Sequence, residues 1–298
     1  MRANFLLSIC MILSGFLATA QENDPTVGLT KVQGNVSVIQ GNGGNIAVSI
    51  GKDGVFMVDA QFAENVPAIL EKIREVSPQE IRFLVNTHHH GDHTGGNIKI
   101  AQQGATVIAH DNVRERLIEK IKGASNKVDN SLLPAITFQQ DLTFYYNGEK
   151  VMILHVDNAH TDGDAMVYFT ESNVLHTGDT FFNGRYPFID IDSGGDLKGY
   201  LKNYQNIMML VDDNTKIIPG HGSIAKKKDV KYASDMLSII TKRVSFHYLD
   251  KKTEDEVVAM SEITAQYDAK GFGDGYISTE KLIRTLYKII KEERGPWR

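Results

Sequence analysis

The chain has 298 residues, of which 42% are hydrophobic and 23% charged, with a formal net charge of -5 and one cysteine. That balance excludes a largely disordered chain, and the acidic excess argues against a protein built to coat nucleic acid. One cysteine excludes an internal disulfide framework and any cysteine-cluster zinc site, while the length allows a sizeable core.

The cysteine is Cys10, inside an apolar run over residues 5–17 that follows Arg2 and precedes Ala18-Thr19-Ala20. A basic start, an apolar stretch and a small-x-small end predict a signal peptide over residues 1–20 and a periplasmic or secreted protein. The run is shorter than the roughly 20 residues that span a bilayer, and no second candidate follows, so no membrane attachment is expected after cleavage. Gln21, not cysteine, stands at the cleavage point, which argues against a lipoprotein.

Next come short β-like runs at Val36–Gln40, 46–50 and 55–58, separated by the glycine-bearing turns 41–44 and 52–54. Val66, Ile69, Leu70 and Ile73 recur at helical spacing, and Pro78 closes that helix. Ile81–Val85 and 106–109 read as strands, and 111–122 as the helix that follows. Residues 151–156, 165–169, 174–175 and Lys216–Ile218 are further strand candidates. After Asp229 the chain turns helical, with Thr253 and Glu256 in capping-box spacing. Leu282, Ile283, Leu286, Ile289 and Ile290 mark a last amphipathic helix. No repeat, low-complexity stretch or linker divides the chain, so residues 21–298 read as a single α/β domain, C-terminal helices included.

Four of the ten histidines fall within residues 87–94, which read THHHGDHT. In extended backbone His88 and His90 project to one side, and Gly91 lets the chain turn so that Asp92 and His93 face a second ion. Imidazole and carboxylate are ligands suited to zinc and similar metals. Three other places share one pattern, an apolar strand and then a metal-competent residue in a glycine-bearing loop. Residues 151–156 lead to His160 in HTDGD, 174–175 to Asp179 in HTGDT, and Lys216–Ile218 to His221 in PGHG. Ligands at the carboxyl ends of strands converge at one edge of a sheet.

With the His-x-His-x-Asp-His motif at His88, His90, Asp92 and His93, and His160, Asp179 and His221 following in order, the chain resembles the metallo-β-lactamase superfamily. The resemblance implies an αββα sandwich, two mixed sheets face to face with helices outside. It also implies two zinc ions, with iron or manganese as alternatives. His88, His90 and His160 would hold the first, Asp92, His93 and His221 the second, and Asp179 would bridge them. A bridging hydroxide would attack a polarised carbonyl, and Asp92 would also orient that hydroxide. Two divalent ions, two carboxylates and a hydroxide leave a residual positive charge, which favours a developing oxyanion. No G-x-S-x-G elbow supports a serine mechanism.

The ligand set is similar to that of glyoxalase II and the lactonases. The largest zinc lactamase group instead has cysteine where Asp179 stands and a lysine three residues on, where this chain has Phe182. Arg185 could replace that lysine as a carboxylate clamp, and the aromatic loop 181–188, with Phe182 and Tyr186, could wall the metals. The expected activity is therefore hydrolysis of a small-molecule amide, ester or thioester, with a β-lactam or lactone ring as the narrower reading. An iron-dependent redox enzyme or a nuclease of the RNA-processing branch is the alternative. His89, His110, His155, His176 and His247 fall outside the pattern. Lys226-Lys227-Lys228 reads as a solvated helix start, and residues 271–275 as a flexible turn.

Overall fold

The computed structural model describes residues 27–124, 130 and 133–295. The expected signal peptide over residues 1–20, with Cys10, lies outside them. Strands β1 (Gly28–Gln33), β2 (Val36–Gln40), β3 (Ile46–Gly51) and β4 (Gly54–Val58) form an antiparallel meander. Helix α1 (Val66–Val76) then crosses to β5 (Ile81–Val85), which pairs parallel to β4. The short helices α2 (Gly91–Thr94) and α3 (Asn97–Ala101) precede β6 (Thr106–His110), and α4 (Asp111–Ala124) precedes β7 (Ile136–Phe138). These seven strands make one mixed sheet in sequential order.

A second sheet has the order β12-β11-β10-β9-β8. It comprises β8 (Leu142–Tyr146), β9 (Glu149–Val156), β10 (Asp164–Phe169), β11 (Val174–His176) and, after α5 (Leu197–Leu210), β12 (Lys216–Ile218). The chain ends in α6 (Lys227–Leu249), α7 (Glu254–Val258), α8 (Ala265–Asp268) and α9 (Thr279–Arg294). Among the described residues, no helix is long and apolar enough to cross a membrane.

The period-2 alternation of the strands sorts the core into three seams. On β4, Phe56 and Val58 face the other sheet, where Val151, Ile153, Val167 and Phe169 meet them, while Val55 and Met57 pack under Ile69 and Ile73 of α1. On β10, Met166 turns outward into the cluster formed by Tyr200 and Tyr204 of α5 and Leu237 of α6. The result is the expected αββα sandwich, four layers deep.

Two readings of the sequence are sharpened. Helix α6 starts at Lys227, with Lys226 as its N-cap residue, ahead of Asp229. Residues 271–275 are not a loose turn: Phe272–Asp274 form a single 3-10 turn with Phe272 buried. Helix α5 and strands β1, β7 and β8 carry no periodic signal strong enough to announce them. For α5, tertiary burial of Leu197, Tyr200, Tyr204 and Ile207 on one face, with Asp196 capping Lys198 and Gly199 N–H, supplies what its glycine and asparagines do not.

Phe56 is fully buried between the sheets, 5.6 Å from Phe144 and 6.0 Å from Phe169 between ring centres. Phe56→Ala should therefore destabilise the protein by about 3–5 kcal/mol, measured as a lower denaturant midpoint with unchanged slope. A loss under about 1 kcal/mol would mean that the seam between the sheets does not hold the fold together.

Candidate metal centre

Five strands end at one edge of the sandwich and each delivers a polar residue there. Asp59 follows β4, the stretch His88–His93 follows β5, His160 follows β9, Asp179 follows β11 and His221 follows β12. Hydrogen bonds across the loops fix their relative heights. Ala165 N–H donates to Thr87 O at 2.8 Å, joining the second sheet to the histidine stretch, and Gly220 N–H donates to Gly178 O at 2.8 Å. Tyr200 Oη donates to the carbonyl of Asp179 at 2.6 Å from beneath. A Cβ on Gly220 would stand 2.0 Å from Asp179 Oδ1, so only glycine permits this close approach.

The structure brings all seven candidate ligands together around Asp179. Asp179 Oδ2 lies 3.7 Å from His88 Nε2 and 3.6 Å from His160 Nε2, whose other near neighbour is His90 Nδ1 at 2.9 Å. Asp179 Oδ1 lies 3.1 Å from His93 Nε2 and 3.6 Å from His221 Nε2. Asp92 Oδ2 completes that second group, 3.1 Å from His221 Nε2 and 3.5 Å from His93 Nε2. The carboxylate of Asp179 thus presents one oxygen to each of two donor groups.

Outer hydrogen bonds turn the lone pairs inward. His93 Nδ1 donates to Asp59 Oδ2 at 2.7 Å, and His160 Nδ1 donates to Phe188 O at 2.7 Å. His90 Nε2 donates to Asp190 Oδ2 at 2.9 Å, which leaves its Nδ1 facing the centre. Thr87 Oγ1 gives its proton to Asp59 Oδ2 at 2.8 Å and so accepts from His88 Nδ1 at 3.1 Å. With these bonds in place, His90 Nδ1 and His160 Nε2 meet as two bare acceptors, an arrangement that a cation between them relieves. His88 Nε2, His93 Nε2 and Asp179 Oδ1 are likewise buried without a hydrogen-bond partner. A buried cluster of imidazole nitrogens and carboxylate oxygens converging on two points fits borderline divalent ions, which would replace the protons on His93 and His221.

Two outer partners carry no ligand spacing and escape a reading of the sequence. Asp59 is fully buried at φ 65, a left-handed conformation held by Thr87 N–H on its Oδ1 at 2.8 Å as well as by His93. It does follow an apolar strand, the same signal that marks His160, Asp179 and His221. Asp190 has no such signal. Its carboxyl sits far below the ordinary range: burial opposes the charge, but bonds from His90 and Ser193 outweigh it. His89, outside the ligand pattern, stands beside His90 and Asp190, with burial pushing its imidazole down to about 3.

The centre opens into a pocket of about 580 Å³, within the range that holds small ligands. Phe182, Arg185 and Tyr186 all line it. Phe182 is buried and stacks on His221 at 5.3 Å. Arg185 is exposed at the rim and, among the described residues, pairs with no carboxylate. Tyr186 is buried, and its hydroxyl is committed to Asp268 Oδ1 at 2.7 Å, so it contributes ring surface but no free polar group.

A family model described as the metallo-beta-lactamase superfamily matches residues 29–221. The chain is 30% identical over 152 residues to a cytoplasmic hydroxyacylglutathione hydrolase of Arabidopsis thaliana, covering 50% of this chain and 52% of that protein. It is 28% identical over 215 residues to a hydroxyacylglutathione hydrolase of Nitrosococcus oceani, covering 70% and 68%. The matches thus span between about half and two thirds of these curated relatives. Among solved structures, a metallo-beta-lactamase from Pontibacter korlensis superposes with a TM-score of 0.61 at 19% identity, over 72% of this chain and 99% of that one. The sec-alkylsulfatase Pisa1 from Pseudomonas sp. gives 0.69 at 18% identity, over 88% and 50%. At these identities the likeness is one of fold.

The two donor groups differ in proton affinity. Burial pushes His160 down to about 4 and holds His88 well below the usual imidazole range. Burial also opposes a charge on His93 and His221, but Asp179 and its neighbours win, lifting His221 to about 9 and His93 well above its ordinary value. Only neutral imidazole can ligate, so an ion entering the second group must displace protons held by His93 and His221, whereas His88 and His160 offer their nitrogens already bare. Zinc titrated into metal-free protein should therefore release more protons on the second equivalent than on the first, read by calorimetry in buffers of different ionisation enthalpy. The second affinity should rise more steeply than the first from pH 6 to pH 9. Equal proton release by both equivalents would contradict this electrostatic division.

Proposed function

The chain belongs to the metallo-β-lactamase superfamily, and on that premise we propose that it is a dizinc hydrolase of small-molecule amides, esters or thioesters. The observation that carries this reading is the carboxylate of Asp179, with one oxygen toward His88 and His160 and the other toward His93 and His221. Two divalent ions held there would supply a Lewis acid for a carbonyl oxygen and lower the pKa of a coordinated water to about 7. The chain's own residues do the rest by position.

Asp92 lines the pocket and is the more exposed of the cluster's two carboxylates, and its Oδ2 is anchored by His221 at 3.1 Å. Its remaining acceptor sites are free to hold the attacking water toward the centre. The wall formed by Phe182 beside His221 excludes solvent from one side of the reacting carbonyl and strengthens the electrostatics within. Arg185, unpaired at the rim, favours a substrate that carries an anion at a distance from the scissile bond.

Those features favour a lactone, a β-lactam or an acyl ester bearing a carboxylate. The named activity of the curated relatives adds glutathione thioesters to the candidates. The apolar run at residues 5–17 supports action outside the cytoplasm, where the ring compounds are the better match.

Zinc-loaded protein should hydrolyse at least one of a chromogenic β-lactam, a γ-lactone, an aryl ester and S-lactoylglutathione. Asp179→Ala should cut that rate by more than about 100-fold, beyond what loss of an outer hydrogen-bond partner costs, and lose bound metal. Protein that holds two ions and turns over none of the four would overturn the proposal. Purification with iron and consumption of oxygen would instead favour the redox reading.

A further inference from the structure

The turn that follows α8 lies beyond residues 29–221, the stretch shared with the family model, yet it reaches the mouth of the pocket. It is fastened there at several points. Tyr186 Oη and Thr279 Oγ1 both donate to Asp268 Oδ1, at 2.7 and 2.5 Å, and Tyr186 N–H donates to Phe272 O at 3.1 Å. Phe272 is buried against the ring of Tyr186, 5.8 Å between centres. Gly275 passes close enough to Arg185 that an added Cβ would stand 3.4 Å from its Cδ. The turn is a fixed part of the site wall.

From it, Tyr276 projects over the opening. Its ring lies 5.5 Å from that of Phe188 in an edge-on arrangement, and the Lys281 ammonium sits 4.3 Å above it while donating to the Tyr276 carbonyl at 3.2 Å. Phe188 in turn stacks on His90 at 5.6 Å, with only 12° between planes. The aromatic surface therefore runs without a break from a metal-ligand candidate to the pocket mouth. Yet Tyr276 remains 72% exposed, so holding it there gives the free protein little burial. A braced ring at the mouth of a pocket gains its contact when a ligand covers it.

We propose that Tyr276 and Phe188 form an aromatic clamp that grips a flat apolar group of the substrate, and that the protein prefers aryl-substituted acyl compounds to short alkyl ones. The anion of such a compound falls to Arg185 and its reacting carbonyl to the centre below. The clamp rests on the hydrolase reading only for which bond is broken.

Equilibrium binding tests it without turnover, using 4-phenylbutanoate and butanoate as probes on the zinc-loaded protein. Wild type should bind the phenyl compound about tenfold more tightly than butanoate, as one well-placed aromatic contact plus its buried area provides. Tyr276→Ala should shrink that preference to below about threefold, Tyr276→Phe should keep it, and the affinity for butanoate should not move. Equal binding of the two probes by wild type, or a full preference surviving in Tyr276→Ala, would overturn the clamp. The two readings fail separately. A protein that hydrolyses nothing yet shows this split keeps the clamp and loses the hydrolase, and turnover without the split does the reverse.

Discussion

The carboxylate of Asp179 is buried among four imidazoles, each of its oxygens within 3.1–3.7 Å of two ring nitrogens. A charge so placed must be compensated on every side, because burial alone would drive its pKa upward. His93 and His221 overcome that penalty and hold Asp179 well below the ordinary carboxylate range. Much of the local structure exists to keep this geometry. Gly220 leaves room for the carboxylate, Tyr200 supports its backbone from below, and the paired ends of β11 and β12 set Asp179 and His221 side by side.

The layered architecture converts that local demand into a directional site. Both sheets deliver their loops to one edge, so donors separated by up to 133 positions in sequence meet within a few ångströms. Asp59, Asp190 and the Phe188 carbonyl then fix which nitrogen of each ring points inward. Orientation is therefore set by outer hydrogen-bond partners, and the centre itself is left to ring nitrogens and carboxylate oxygens that converge on it. Around it the pocket wall is built by a different rule. Phe182, Phe188 and Tyr276 supply flat apolar surface, and Arg185 supplies a single cation at the rim.

Most of the centre was legible in the sequence for a simple reason. Strands buried on both faces appear as apolar runs, and the residue that ends each run is the one brought to the shared edge. His160, Asp179 and His221 follow such runs, and the spacing of His88, His90, Asp92 and His93 is distinctive by itself. Asp59 obeys the same pattern but acts through His93, so its part is visible only once its partner is in place. Asp190 and Tyr276 come from irregular segments whose position depends on packing against distant elements. Helix α5 was hidden for a related cause, since Gly199 and its asparagines weaken the local signal while burial of Tyr200 and Tyr204 decides the outcome. Residues 271–275 read as a loose turn because nothing local records that Phe272 packs under Tyr186.

The division of Asp179 between two donor groups is the feature on which the hydrolytic reading stands. Anomalous diffraction from crystals of zinc-loaded protein tests it most directly. Two peaks on the order of 3.5–4 Å apart, one beside each oxygen of Asp179, are the result predicted for a two-metal site. A single peak at full zinc loading, or two peaks of which only one contacts Asp179, would contradict the account.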